Sequence, residues 1–229
     1  MIGIPQGETV LAELPPILSV EESVLRAMRQ DIVRLTIPPG TRLRMADVAE
    51  RAGVSLTPAR QVLRRLEAEG LVVSYPRTGS SVAPLTFPDA ELVMTVCGAL
   101  ERRLLSLGVP ALEEHDLTEM ASLLQTRSAA VASRDIDGID ETAFAIRDVV
   151  YRRAARPELF REAITWRHRQ QRYVRHAVLA GIDIGSFLGH EVNAFVDACL
   201  RRDTSAAEAA RMNMEDRVLD GLQASLRSS

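Results

Sequence analysis

The chain contains no lysine: all 28 of its basic residues are arginine. Every permanent positive charge is therefore a planar, forked guanidinium, the shape that phosphates and carboxylates accept. Cysteine is almost absent. Cys97 and Cys199 have no metal-ligand spacing, and each sits in an apolar stretch of helical period, so both read as reduced core thiols. No apolar run is long enough to span a bilayer, and the N-terminus lacks a basic start followed by an apolar block. No membrane partner and a cytoplasmic location are expected. There is also no phosphate loop, no G-x-S-x-G elbow and no nucleophile spaced to meet a base, so an enzyme is not expected, nor any cofactor. A strong net charge is missing as well: the formal value is -3, which by itself points to no polyanionic partner.

What is present is apolar residue in quantity. With 46% hydrophobic composition over 229 residues, the chain can bury one large core or two small ones. Residues 1–16 carry proline and glycine without period and read as a loose leader. From Val20 to Leu35, Val24, Leu25, Met28, Ile32 and Leu35 recur at helical spacing behind Ser19 as N-cap. "IPPG" stops that helix, and a short helix follows over 46–52 up to Gly53. A third is expected from Pro58, with Thr57 as its N-cap, to Glu69. "LVVSY" and "SVAPL" flank the turn-forming "PRTGS" and predict a hairpin. Helix, helix, helix, hairpin is the order of a winged helix-turn-helix. "PLTFPD" (Pro84 to Asp89) reads as a linker, and beyond it the pattern is helical over about 88–107, 115–133, 139–155, 157–180, 185–202 and 204–226. The expected fold is mostly α: a winged helix-turn-helix with a small β-hairpin wing over 17–85, then an all-α bundle over 86–229.

Charge divides at the same boundary. Between Pro16 and Leu85 ten arginines face seven acids, so this segment is net positive by three and the remainder is net negative by six. That asymmetry suits a DNA reader joined to a module of another kind. Within "GVSLTPARQVLRRLEAEG", Val62, Leu63 and Leu66 form the apolar stripe, and Arg60, Arg64 and Glu67 lie away from it. In a helix-turn-helix the second helix puts its N-terminal residues against base edges. Ser55 and Thr57 are then candidates for phosphate, Arg60 and Arg64 for a base or phosphate, and Arg77, Thr78 and Gly79 for the groove beside the wing.

The run "IPPGTRL…ADVAERAGVSLTPARQVLRRLEAEGLV…RTGSSVAPL" resembles the DNA-binding domain of GntR-family bacterial transcription regulators, over about residues 20–85. The helical remainder resembles the ligand-sensing domain of the FadR-like subgroup, the FCD type. The resemblance implies a homodimer on a two-fold, inverted-repeat operator in double-stranded DNA, controlled by a small metabolite. It assigns Ser55, Thr57, Arg60 and Arg77 to Gly79 to DNA-contact positions. Leu56 stands where the family usually has Arg, and Ala46 where a polar contact is common, so a divergent half-site is implied.

Many members of that subgroup hold a metal with an Asp and a His four residues apart and two further His. Aligned on "IRDVVYRRAARP" and "VNAFVDACLRRD", those positions are Ala143, Arg147, Val192 and Met214, and no metal is expected. His190 falls on another helix face. An anion would then need another anchor. Arg147 is one, and the stripe begun by Phe160 and Ile164 turns polar at Arg167, His168, Gln171 and Arg175, as the lining of a cavity would. A small organic acid is the expected effector. The alternatives are that these arginines are solvated or pair with bundle acids such as Glu101, Asp148 and Glu191. At the level of function they are a constitutive DNA-binding regulator with a degenerate sensor, and a helical-bundle enzyme.

Overall fold

A computed structural model of the chain describes residues 19–75, 79–181 and 184–226. The leader over 1–16 and the wing residues Arg77 and Thr78 lie outside the described residues.

Helix α1 spans Val20–Val33, and the Ser19 side chain accepts from the Glu22 amide at 3.1 Å. Strand β1 is Arg42–Leu43, a short element not anticipated from the sequence. Helix α2 (Met45–Ala52) ends at Gly53, whose φ of 64° turns the chain at a conformation that a side chain would strain. Helix α3 runs Leu56–Ala68 with Ser55 as its N-cap. The helix thus starts two residues before the expected Pro58, and Thr57 lies inside it rather than capping it. The physical reason is that Pro58 is the third helical residue. Its missing N–H belongs to the first turn, whose amides have no intrahelical acceptor, so proline costs no bond there.

Strands β2 (Val72–Tyr75) and β3 (Gly79–Val82) form the wing hairpin. β3 lies between β2 and β1, antiparallel to both, with Val72 opposite Val82 and Arg42 opposite Ser81. The core of this unit joins Leu25 and Ile32 of α1, Val48 of α2, Ala59, Val62 and Leu66 of α3, and Leu71 and Val82 of the hairpin.

The remaining helices are α4 (Phe87–Gly108), α5 (Glu114–Ser133), α6 (Ile136–Arg153), α7 (Pro157–Leu179), α8 (Ile184–Leu200) and α9 (Thr204–Leu226), with a 3-10 turn at Val109–Ala111. α4 packs on α6, α7 and α9, α5 on α6 and α8, and α8 on α9. One core gathers Leu104, Leu105, Ile146, Val150, Phe195 and Val196, and a second gathers Val93, Met94, Tyr173, Val218 and Leu222. Cys97 and Cys199 are buried and unbridged.

The linker is gripped by one face of α7. The buried Arg172 guanidinium donates to the Ala83 carbonyl. The Tyr173 hydroxyl donates to Asp89 at 2.7 Å and accepts from the Thr86 amide at 3.3 Å. Arg169 reaches Asp89 at 2.5 Å and lies 4.6 Å over the Trp166 ring. Its other side covers Gly70 just beyond α3, where a Cβ would come 3.0 Å from the arginine side chain. The segment between the two units is therefore held in place, and the same helix that holds it lines the cavity described next.

Candidate nucleic-acid interface and inter-domain cavity

The arginines of the winged helix divide into two sets. Arg29 forks onto Glu69 at 2.6 and 2.7 Å, joining α1 to the end of α3. Arg65 meets Glu22 at 2.6 Å, and Arg34 meets Asp137 at 3.3 Å and Glu141 at 3.4 Å on α6. These pairs hold elements together. Arg42, Arg44, Arg51, Arg60 and Arg64 are exposed and have no hydrogen bond or ion pair among the described residues. They lie on β1, at the cap and last turn of α2, and on α3. Ser55 and Thr57 are exposed beside them, and Ser55 spends no side-chain bond on its own helix. Leu56 is 50% exposed, an apolar group at the start of a polar face. Gly79 is exposed at the first position of β3, opposite Tyr75. The first turns of α3 carry two unbonded hydroxyls, at Ser55 and Thr57, and the uncommitted guanidinium of Arg60 at the positive end of the helix. That combination can accept phosphate oxygens and read base edges.

A cavity of about 610 Å³ lies where α1 meets α6 and α7. Arg147, Arg167, His168, Gln171 and Arg175 all line it, so the polar continuation of the α7 stripe does face a cavity. Most of these groups have partners. Arg167 meets Asp140 at 2.9 Å and lies 4.0 Å over the Phe144 ring, Gln171 donates to the same carboxylate, and Arg175 pairs with Asp137. The acids that pair with these cavity-lining α7 residues are thus Asp137 and Asp140; of the acids named from sequence, Asp148 and Glu191 take no part. Burial, aided by the Arg29 guanidinium, pushes His168 down to about 4, so its imidazole is neutral near pH 7, and its Nδ1 is buried without a partner.

Arg147 differs from the rest. It is 6% exposed, its nearest acid atom is Glu101 Oε1 at 4.0 Å, and its Nε has no hydrogen-bond partner. Glu101 is committed elsewhere, with its Oε2 at 2.5 Å from Arg211 Nε. Arg211 also lies 3.2 Å from Glu215, to which Gln170 donates. Burial pushes Glu215 up to about 7 even against the Arg211 charge.

Ala143, Arg147, Val192 and Met214 line one small void of about 10 Å³. The positions aligned with a metal site therefore do converge in space. They present a methyl, a guanidinium, an isopropyl and a thioether, which is not a donor set for zinc or a similar ion, while His190 is exposed and Val192 buried. A metal does not fit this site, and among the described residues no group of three or more His, Cys, Asp or Glu is placed to hold one.

The sequence did not point to the α1 wall of the cavity, formed by Arg26, Arg29, Gln30, Val33 and Arg34. Their spacing is that of any solvated helix face, and no signal in the chain tells which face meets a second domain.

A winged helix-turn-helix with exposed, unpaired arginines, carried on a helical bundle, is an arrangement suited to contacting DNA. Residues 20–82 match the sequence model of the family described as "Bacterial regulatory proteins, gntR family". The uncharacterized HTH-type transcriptional regulator YdhC of Bacillus subtilis (strain 168) is 29% identical over 104 residues, 45% of this chain and 46% of YdhC. The HTH-type transcriptional repressor RspR of Escherichia coli (strain K12) is 26% identical over 133 residues, 58% of each chain. The chain thus spans about half the length of these relatives. The solved structure of E. coli McbR/YncC superposes with a TM-score of 0.73 over 87% of this chain and 95% of that one, at 20% identity, which shows a shared fold. No helix among the described residues is long and apolar enough to cross a membrane.

Proposed function

We propose that the protein is a metabolite-responsive transcriptional repressor of the FadR-like, FCD type. It acts in the cytoplasm as a homodimer on an inverted-repeat operator, with residues 17–85 reading DNA and residues 86–229 sensing the effector and dimerising. The observation that carries the reading is the division of arginines in the winged helix. Arg29, Arg34 and Arg65 pair across elements, whereas Arg42, Arg44, Arg51, Arg60 and Arg64 are exposed and unpaired among the described residues, as are Ser55 and Thr57. Ser55 and Thr57 bind phosphate, Arg60 forks onto a guanine or phosphate, and Arg64 adds charge along the backbone. Leu56 offers its side chain to a thymine methyl, and Arg77, Thr78 and Gly79 of the wing meet the neighbouring groove. RspR, named a repressor, supports the sign of regulation.

The effector is a small organic acid bound with Arg147, and with Arg167, His168, Gln171 and Arg175 around it. The support is the buried guanidinium of Arg147, left without a hydrogen-bonded partner beside a cavity. Selection of bound duplexes from a random library, with and without a panel of carboxylic acids, tests the whole reading. An inverted repeat whose recovery falls in the presence of one acid is the expected result. Recovery without sequence preference overturns it.

A second reading is favoured by one observation: the loss of metal donors at Ala143, Val192 and Met214. In it the sensor is degenerate and DNA binding is constitutive. A thermal-shift screen with the same acids separates the two, because an effector stabilises the state it binds.

A further inference from the structure

We propose that the cavity is a two-domain site for an amphipathic organic anion, whose acidic group seats on Arg147 and whose apolar body reaches α1, so that the winged helix forms one wall of its own effector site. This rests on the reading of the bundle as a sensor and adds which elements the ligand touches.

The charges facing the cavity single out the seat. Arg29 is engaged by Glu69, Arg34 and Arg175 by Asp137, and Arg167 by Asp140. Arg147 is the buried cation with no hydrogen bond, and a guanidinium in that state is costly unless an acceptor joins it. A carboxylate or sulfonate supplies that acceptor in forked geometry. Around it the lining is largely apolar: Val33 from α1, Ile139 and Phe144 from α6, Ile164 and Val174 from α7. The volume of about 610 Å³ accommodates a ligand larger than a simple two- or three-carbon acid. At the α1 wall, Arg26 is exposed and unpaired and Gln30 is exposed.

The consequence is a short path. A ligand that touches α1 touches the helix whose Arg29 clasps Glu69, the cap residue at the end of α3. It also sits on the face of α7 opposite the linker grip of Arg172 and Tyr173. Ligand occupancy and the seating of the winged helix on the bundle are then one equilibrium, biased from either side.

The test is a fluorescence titration of the full chain with 8-anilinonaphthalene-1-sulfonate, an aromatic anion that brightens in apolar surroundings. Arg147→Met is expected to weaken binding about tenfold or more. Gln30→Glu, on the winged helix and exposed, is expected to weaken it several-fold, as is Arg26→Gln. Arg60→Ala, a loss of charge elsewhere on the same domain, is expected to leave it unchanged. If Arg147→Met weakens binding but Gln30→Glu and Arg26→Gln do not, the two-domain site is overturned while the bundle remains a sensor. If Gln30→Glu and Arg26→Gln weaken binding and Arg147→Met does not, the seat on Arg147 is overturned. If no variant changes binding, or the probe does not bind, the anion site falls altogether. Should Arg147→Met fail to fold by circular dichroism, Arg147→Gln takes its place with the same expectation.

Discussion

The winged helix and the bundle use the same cation in opposite ways. On the winged helix, Arg42, Arg44, Arg51, Arg60 and Arg64 stand in solvent without partners. In the bundle, Arg127, Arg147, Arg172 and Arg211 are nearly inaccessible. Arg127 donates to the Ile139 carbonyl at 2.5 Å, Arg172 to that of Ala83, and Arg211 joins Glu101 and Glu215. A guanidinium in water keeps its hydration until a phosphate displaces counterions, so its contribution appears only in binding. A buried one has lost that hydration and must be satisfied by the fold, so its removal appears in stability. Burial, aided at Arg127 by the Arg147 charge, pushes Arg127 and Arg172 down to about 10 by the same desolvation. Arg147 belongs to neither group: it is buried like a structural arginine, yet has no hydrogen bond and only Glu101 at 4.0 Å as a counter-charge.

This contrast is sharpest at Arg211. Arg211→Met leaves Glu101 and Glu215 buried without their cation, and is expected to cost about 3–5 kcal/mol in urea unfolding. A loss under 1 kcal/mol would mean that the buried network is not structural. The mirror experiment is Arg60→Ala. Operator binding should weaken by about 1–3 kcal/mol and lose preference at one base pair per half-site. The melting temperature should hardly move, since exposed substitutions usually stay within about 0.5 kcal/mol. A large drop in stability with unchanged DNA affinity would reverse the roles of the two regions.

His168 gives a third handle, on the cavity between them. Its folded pKa lies below its unfolded value of 6.5, near 4. The unfolded chain therefore binds the proton first as pH falls. The contribution of neutral His168 is complete above pH 6.5 and is lost as pH falls toward 4. Urea midpoints should drop over that window, and His168→Gln should flatten the drop by about 3 kcal/mol. An identical pH profile in the variant would place the titration elsewhere. The smallest effect is expected from Arg64→Gln. Affinity should fall by about the same small factor for every DNA sequence, and the slope of log K against log salt should shrink by about one. A change confined to one base pair would make Arg64 a base reader.

Periodicity carried much of the architecture into view. Helix α1 with its Ser19 cap, the presence of a hairpin and the bundle helices were legible because apolar spacing is a local property, but the second hairpin strand is Gly79–Val82 rather than 81–85, since turn residues at 79–80 pair in the ladder and Pro84 cannot. The start of α3 was misplaced by two residues because proline is tolerated anywhere in an uncapped first turn, so it does not mark a unique boundary. The polar end of the α7 stripe was legible as a cavity lining, since Arg167, His168, Gln171 and Arg175 break an apolar row at helical spacing. Their partners Asp137 and Asp140 were not, because nothing in α6 distinguishes an acid that faces α7 from one that faces water.

What the sequence determined by itself is therefore the helices and the wing hairpin, their order, and the polar face of α3, each encoded by spacing within one helix or hairpin. The tertiary structure alone decided which arginines are spent inside the protein and which remain available. It alone brought Ala143, Arg147, Val192 and Met214 around one void, and made α1 a wall of the cavity. The reason is physical. Burial and charge pairing depend on contacts between residues far apart in the chain, and a guanidinium at a given helical position reads the same whether its neighbour across the gap is water, an aspartate or another domain.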